Sequence, residues 1–307
     1  MNPDLFLADL HAKPEALRGL DLTGAWDFVP AAAEVLLLGM GSSHYANQVV
    51  AARLRAAGVR ASAELASSDL LPRVPPGALV LAVSASASSA ETIDAVARLG
   101  APYVAVANRP GPLTESADRT VWMEAGEERG GVACRSFQHT LALLLALEAR
   151  LVGAPPARGA RRRGDRRPAR PRRRLATAVG RAAARPDGTH VVAPARRLSS
   201  AYQSALMLRE GPRLPAIGCE TGDWSHVDVY LTKTTDYRML LLAGSRWEPQ
   251  LLEWTGRRGS TVVAVGADVA GAAATLRYAH DEVEDVRLLT ETLVAELLAA
   301  HAWLGAS

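Results

Sequence analysis

Short apolar runs alternate along this chain with longer stretches whose apolar positions recur at helical spacing. Strands are expected at Glu34 to Leu38, Arg60 to Glu64, Ala78 to Val83, Tyr103 to Ala107 and Thr120 to Met123. Helices are expected over Tyr45 to Ala57, closed by Gly58, and near Ala90 to Leu99 and Arg135 to Val152. The alternation resumes with strands at Thr189 to Ala193, Tyr237 to Ala243 and Ser260 to Val265, and helices at Ala201 to Arg209, Pro249 to Arg257 and Val286 to Trp303. Strands that alternate with helices predict an α/β protein whose parallel sheets are covered by helices on both faces.

Between residues 154 and 174 the pattern stops: APPARGARRRGDRRPARPRRR holds ten arginines and four prolines with almost no apolar residue. It reads as a linker or a solvated excursion. The expected division is an N-terminal helical segment over 1–30, a first α/β domain over 31–153, the linker over 154–174, and a second domain with the C-terminal helix over 175–307. VLLLGMGSSHYA and HVVAPARRLSSAY occupy matching places, so the halves look like a weak internal duplication.

Composition narrows the function. At 307 residues and 49% hydrophobic content the chain can bury two cores, so a disordered protein is excluded. Cys134 and Cys219 are its two cysteines, with no Cys/His cluster, so neither a disulfide framework nor a metal site is indicated. No cofactor is suggested either. No apolar run reaches the roughly 18 residues of a membrane span, and MNPDLFLADLHAKPEAL is polar where a signal peptide is apolar, so a soluble cytoplasmic protein is expected. Lys13 and Lys233 are the two lysines among 35 basic residues, which leaves few amines for imine chemistry. The arginine run could attract nucleic acid, but the formal net charge is only +3 and the run has no aromatics for base stacking. A solvated connection is the stronger reading.

The chemistry-bearing feature is Ser84-Ala85-Ser86-Ala87-Ser88-Ser89, between a strand and the helix that begins at Ala90. Hydroxyls beside a helix start, where backbone N–H groups are unpaired and carry partial positive charge, can surround a phosphate. The alternative is a plain capped turn, for which one serine suffices. The equivalent turn in the second half, Ala243-Gly244-Ser245-Arg246-Trp247, lacks the cluster, so a single phosphate pocket belongs to the first half.

LLLGMGSSHYA, LVLAVSASASSAETIDAV and MEAGEERGGVACRSFQHTLALLLAL together resemble the first sugar isomerase (SIS) domain in the isomerase half of glucosamine-6-phosphate synthases. FLADLHAKPEALRGL is similar to the helix before that domain, and SALMLREGPRLPAIGCETGDWSHVDVYL to the active-site segment of the second SIS domain. The resemblance implies two tandem SIS domains, each a mainly parallel sheet flanked by helices in a flavodoxin-like or Rossmann-like three-layer sandwich. It implies that Ser43, with Ser42 beside it, and Ser84, Ser86 and Ser89 surround a sugar phosphate. It places Glu210 at the isomerisation base and His226 at the histidine linked to ring opening. In the family a neighbouring subunit supplies that histidine, so a homodimer with a shared active site is implied. Glu128 either bonds a sugar hydroxyl or caps the following helix, and Arg135 either approaches an anion or is a solvated helix-start arginine.

The departures bear on activity. Ala85 replaces the family's usual Gln, Ala87-Ser88-Ser89 replaces Gly-Glu-Thr, Met207 stands where the synthase has lysine, and LLAAHAWLGAS has no counterpart of its C-terminal lysine. Phosphate contacts survive while contacts to the sugar ring are thinned. The leading expectation is an enzyme that isomerises or deaminates a phosphorylated sugar or amino sugar through an enediol-type intermediate. The alternative is a non-catalytic sugar-phosphate sensor.

Overall fold

The computed structural model describes residues 1–30, 34–153 and 187–306. The arginine-rich stretch 154–174 lies outside the described residues, so the linker reading is neither met nor opposed. The chain divides into two compact units. One, here the N-terminal unit, comprises the described residues of His11–Glu128 and of Ala133–Gly159. The other, the C-terminal unit, comprises Met1–Leu10, Arg129–Val132 and the described residues that follow Ala160.

In the N-terminal unit, α1 (Pro3–Gly19, shared in sequence with the other unit) leads to β1 (Val35–Gly39), α2 (Gly41–Ala56), β2 (Ala61–Leu65), β3 (Leu79–Val83), α3 (Ala90–Leu99) and β4 (Val104–Ala107). A short α4 (Pro112–Glu115), β5 (Arg119–Trp122) and α5 (Arg135–Val152) follow. The five strands form a parallel sheet in the order β2-β1-β3-β4-β5. Val35 pairs with Ala61 on one side and with Leu79 on the other, so β1 is an interior strand, buried along its whole length. Alternate residues Leu36, Leu38, Val80, Ala82, Ala105 and Ala107 share one face and pack against Ala95 and Val96 of α3 and Leu113 of α4. That two-sided burial is why these strands read as continuous Val/Leu runs. Gly100 (φ 59°) and Gly153 (φ 70°) end α3 and α5 in the left-handed conformation that glycine adopts at least cost.

The C-terminal unit holds β6 (Thr189–Ala193), α6 (Leu198–Glu210), β7 (Ala216–Glu220), a short α7 (Thr221–Trp224), β8 (Arg238–Leu242), α8 (Glu248–Arg257), β9 (Thr261–Val265), β10 (Ala274–Leu276), α9 (Glu284–Thr290) and α10 (Thr292–Ala306). Its parallel sheet runs β7-β6-β8-β9-β10. Counted within each unit, both sheets have the order 2-1-3-4-5, the structural counterpart of the matched segments in the two halves. In open parallel sheets of this order, ligands bind beyond the carboxyl ends of strands 1 and 3.

Three sequence expectations need correction here. The single C-terminal helix is two helices, broken at Glu291, whose buried carboxylate is held by Arg197. The helix expected from Ala201 begins at Leu198, directly after a 3-10 turn. Strands β7 and β10 were not anticipated, because AIGCE and ATL carry too little apolar pattern.

Candidate functional site

The N-terminal unit builds a cavity at the carboxyl ends of β1 and β3. Gly39 closes β1, and a side chain there would press on Ser43 Cβ and Asn47 Nδ2 at 3.0 Å and on the Val83 carbonyl at 3.2 Å. Its absence lets the first turn of α2 cross directly above the strand. After β3, the Ser84 N–H bonds the Val106 carbonyl, and the Ala87 N–H returns to the Ser84 carbonyl, closing a turn with Ala87 at φ 52°. Neighbouring backbone frames that turn, with Asn108 N–H on the Ala85 carbonyl and Leu113 N–H on the Ala87 carbonyl. The Asn108 side chain ties the frame to the next segment, donating to the Gly126 carbonyl and accepting from the Ala125 N–H, both at 2.8 Å.

Between these turns and the start of α5 lies a cavity of about 210 Å³, lined by Met40, Ser42, Ser43, Ala85, Ala133, Ser136, Phe137 and Thr140. Ser42 and Ser43 line it directly, whereas the serine loop contributes only Ala85, and Ser84, Ser86 and Ser89 are not among the lining residues. Neither the Ser42 nor the Ser43 hydroxyl has a hydrogen-bond partner among the described residues. Within the loop, Ser84 Oγ and Ser86 Oγ stand 3.4 Å apart, and Ser86 Oγ accepts the Ser88 N–H.

Ser89 acts as a helix cap, one of the two roles left open by the sequence. Its Oγ accepts from Thr92 N–H at 3.3 Å and Thr92 Oγ1 at 3.0 Å, and donates to Glu91 at 2.9 Å. Glu91's own backbone N–H and then the Ser89 hydroxyl hold its carboxyl below the usual glutamate value. A cation stands by the same loop: Arg109 Nε donates to the Ser86 carbonyl at 3.4 Å.

Glu128 caps the head of α5. One carboxylate oxygen accepts the N–H groups of Cys134 and Arg135 at 2.6 Å and of Ser136 at 3.1 Å, and the other accepts from Ser136 Oγ at 2.6 Å. Arg135 is half-buried and its guanidinium donates to the Glu127 carbonyl. Two buried histidines flank the cavity on its helices. Burial holds both below the usual 6.5, against a bond to the Glu64 backbone for His44 and one from His139 Nδ1 to the Met123 carbonyl at 2.6 Å.

A larger hollow of about 970 Å³ opens in the same unit at the other ends of β3, β4 and β5, lined in part by Leu71 to Gly77, Arg98, Tyr103 and Arg119. Two of its three arginines are engaged, Arg98 with Asp94 and Arg119 over the Phe28 ring. It also lies at the amino ends of the strands, where this topology does not place ligands.

Glu210 and His226 belong to the C-terminal unit. Glu210 is the half-buried last residue of α6, followed by Gly211, whose N–H bonds the Met207 carbonyl. His226 is exposed on a turn set by Glu220, whose carboxylate accepts from the N–H groups of Gly222 and Asp223 at 2.7 and 2.9 Å. The His226 N–H closes that turn on the Asp223 carbonyl.

Sequence reasoning missed Ser136, Phe137 and Thr140. Ser136 and Thr140 sit one helical turn apart in an otherwise leucine-rich helix, and that polar i, i+4 pair was the available signal. Among the described residues no helix is long and apolar enough to cross a membrane, and no cluster of potential metal ligands occurs.

The sequence matches no protein-family model and no curated relative. Solved structures share the fold. The C-terminal domain of glucosamine-fructose-6-phosphate aminotransferase from Francisella tularensis superposes with a TM-score of 0.78 at 17% identity, covering 98% of this chain and 95% of that one. Tagatose-6-phosphate ketose/aldose isomerase from Escherichia coli gives 0.73 at 15% identity, over 100% of this chain and 92% of that one. Glucosamine-6-phosphate deaminase from Thermotoga maritima gives 0.70 at 16% identity, over 99% and 95%. The chain thus has the α/β fold of these phosphosugar enzymes, with two parallel five-stranded sheets flanked by helices.

Proposed function

We propose that the chain is a double-SIS protein that binds a phosphorylated sugar or amino sugar and interconverts its aldose and ketose forms, or isomerises and deaminates its amino derivative. The observation that carries this reading is the hydroxyl-lined cavity beside the serine loop, at the sheet edge where this strand order places ligands. Ser42, Ser43, Ser84 and Ser86 anchor the phosphate, with Ser89 contributing once its Oγ turns from Glu91.

Glu210 is the base. Its carboxylate takes the proton from C2 of the open-chain aldose while O1 takes one from water to give an enediol, and the proton then returns to C1 as the C2 hydroxyl gives its own to water, leaving the ketose. His226, from a second copy in a homodimer, assists ring opening by moving a proton between the ring oxygen and the anomeric hydroxyl. The protein works in the cytoplasm without metal or cofactor.

A sensor reading is favoured by one observation: Met207, where the resemblance puts the synthase's lysine, is fully buried with its sulfur accepting from Gln203. Incubation in heavy water with fructose 6-phosphate, and separately with glucosamine 6-phosphate, separates the two. Deuterium entering C1 or C2, lost in Glu210→Gln, supports the enzyme. Calorimetric binding of both sugars without any exchange supports the sensor and removes Glu210 from its role.

A further inference from the structure

The cavity's two walls differ in what they can offer a ligand. On the α2 side the Ser42 and Ser43 hydroxyls keep their protons. On the α5 side each hydroxyl has already given its single proton away. Ser136 Oγ donates to Glu128 Oε2 at 2.6 Å, and Thr140 Oγ1 donates to the Ser136 carbonyl at 2.8 Å, both to groups that can only accept. Three amide donors at the head of α5 are spent as well, since Glu128 Oε1 collects the N–H groups of Cys134, Arg135 and Ser136. What remains on the Ser136 and Thr140 hydroxyls is lone pairs, and a hydroxyl that donates to a carboxylate is a stronger acceptor for it. Ser136 and Thr140 are each only 2% exposed, so a ligand group against them has little water to replace a missing bond.

We propose that Ser136, seconded by Thr140 and polarised by Glu128, is the specificity-determining element of this site: the ligand group lying against α5 must donate a hydrogen bond, so a hydroxyl or ammonium is accepted and a carboxylate, phosphate or fluorine is refused. This rests on the sugar-phosphate reading and adds an orientation to it. An anion is turned away from Ser136 and Thr140 and toward the α2 and serine-loop wall, which leaves the sugar's hydroxyl or amino groups to face Ser136. Glu128 then acts on the ligand through Ser136 without touching it.

The test is calorimetric titration of glucose 6-phosphate and its 2-, 3- and 4-deoxyfluoro analogues, in which a donor is replaced by a group that cannot donate, with inorganic phosphate alongside. In the wild type, at least one analogue is expected to bind about tenfold more weakly than the parent, the usual consequence of a buried polar group left unmatched. In Ser136→Ala that ratio should fall to within about twofold while inorganic phosphate binds as before, a pattern that a change of stability alone does not produce. Thr140→Val, which keeps the side-chain shape, should compress the same ratio and guards against a folding defect in the first variant. Analogues that all bind the wild type like the parent, or a ratio that survives both substitutions, overturn the proposal alone. If neither glucose 6-phosphate nor inorganic phosphate binds the wild type, the sugar-phosphate reading falls and takes this proposal with it.

Discussion

The two sheets share one strand order, yet their carboxyl edges are finished in opposite ways. Beyond β1 and β3 the chain places Gly39, Ser43, Ser84, Ala85 and Ser86, side chains too short to meet across the gap, and a cavity remains. Beyond β6 and β8 it places arginines that reach across and fill the space. Arg197 is fully buried and donates to both oxygens of Glu291 at 3.0 and 3.1 Å, to Glu284 at 2.8 and 2.9 Å, and to the Ala243 carbonyl at 2.5 Å. Arg196 reaches Glu284 and the Gly244 carbonyl, each at 2.7 Å, while Arg287 takes the carbonyls of Ala243 and Gly266. Gly244 sits at φ 128°, a conformation that strains other side chains, and a Cβ there would also press on Arg287 Nη1 at 2.6 Å. One edge keeps its donors for a ligand, and the other spends them on its own carboxylates and carbonyls.

The comparison breaks most visibly at the filled edge. Glu291→Ala should destabilise the protein by about 3–5 kcal/mol, because it strands the Arg197 guanidinium without its buried partner; a denaturant midpoint close to wild type would show that the network is not what seals this edge. Ser84→Ala with Ser86→Ala at the open edge should do the reverse. We expect sugar-phosphate affinity to fall by tenfold or more, the worth of about one charge-assisted hydrogen bond, with a change in stability below about 1 kcal/mol.

Acid should weaken the open-edge unit through His44 and His139. Their folded values lie below 6.5, so each stays neutral in the fold where the unfolded chain takes a proton. Stability is therefore fully present above about pH 6.5 and declines as pH falls below it, until the folded values are passed. A thermal melt followed from pH 7 to pH 5 reads this directly, and His139→Gln should flatten the slope. The smallest effect is expected at Ala87→Gly. It relieves a left-handed non-glycine residue, worth roughly 1 kcal/mol, and gives up a buried methyl worth about 0.8, so the melting temperature should barely move.

Most strands were legible because buried parallel strands are written as unbroken apolar runs, as in Val35 to Leu38 and Thr261 to Val265. β7 was not, and its Gly218 shows why. A Cβ there would approach Tyr202 to 2.7 Å, so close cover by α6 requires a residue that carries no hydrophobic signal. The break between α9 and α10 was hidden for a related reason: Glu291 sits at a position compatible with a continuous helix, and only the Arg197 pairing reveals that it is drawn inward. The serine loop was legible because four hydroxyls beside a helix start exceed the needs of capping. The α5 wall was not, since Ser136 and Thr140 gain meaning only once their protons are traced to Glu128 and to the helix backbone.

Backbone amide NMR during a titration with fructose 6-phosphate tests the central claim most directly, because it reports on both edges in one sample. The account predicts that Ser43 and Ser84 through Ser89 shift together and saturate with the ligand, while Ala243 through Trp247 stay still. Shifts centred on Ala243 through Trp247, with the serine loop unmoved, would contradict it.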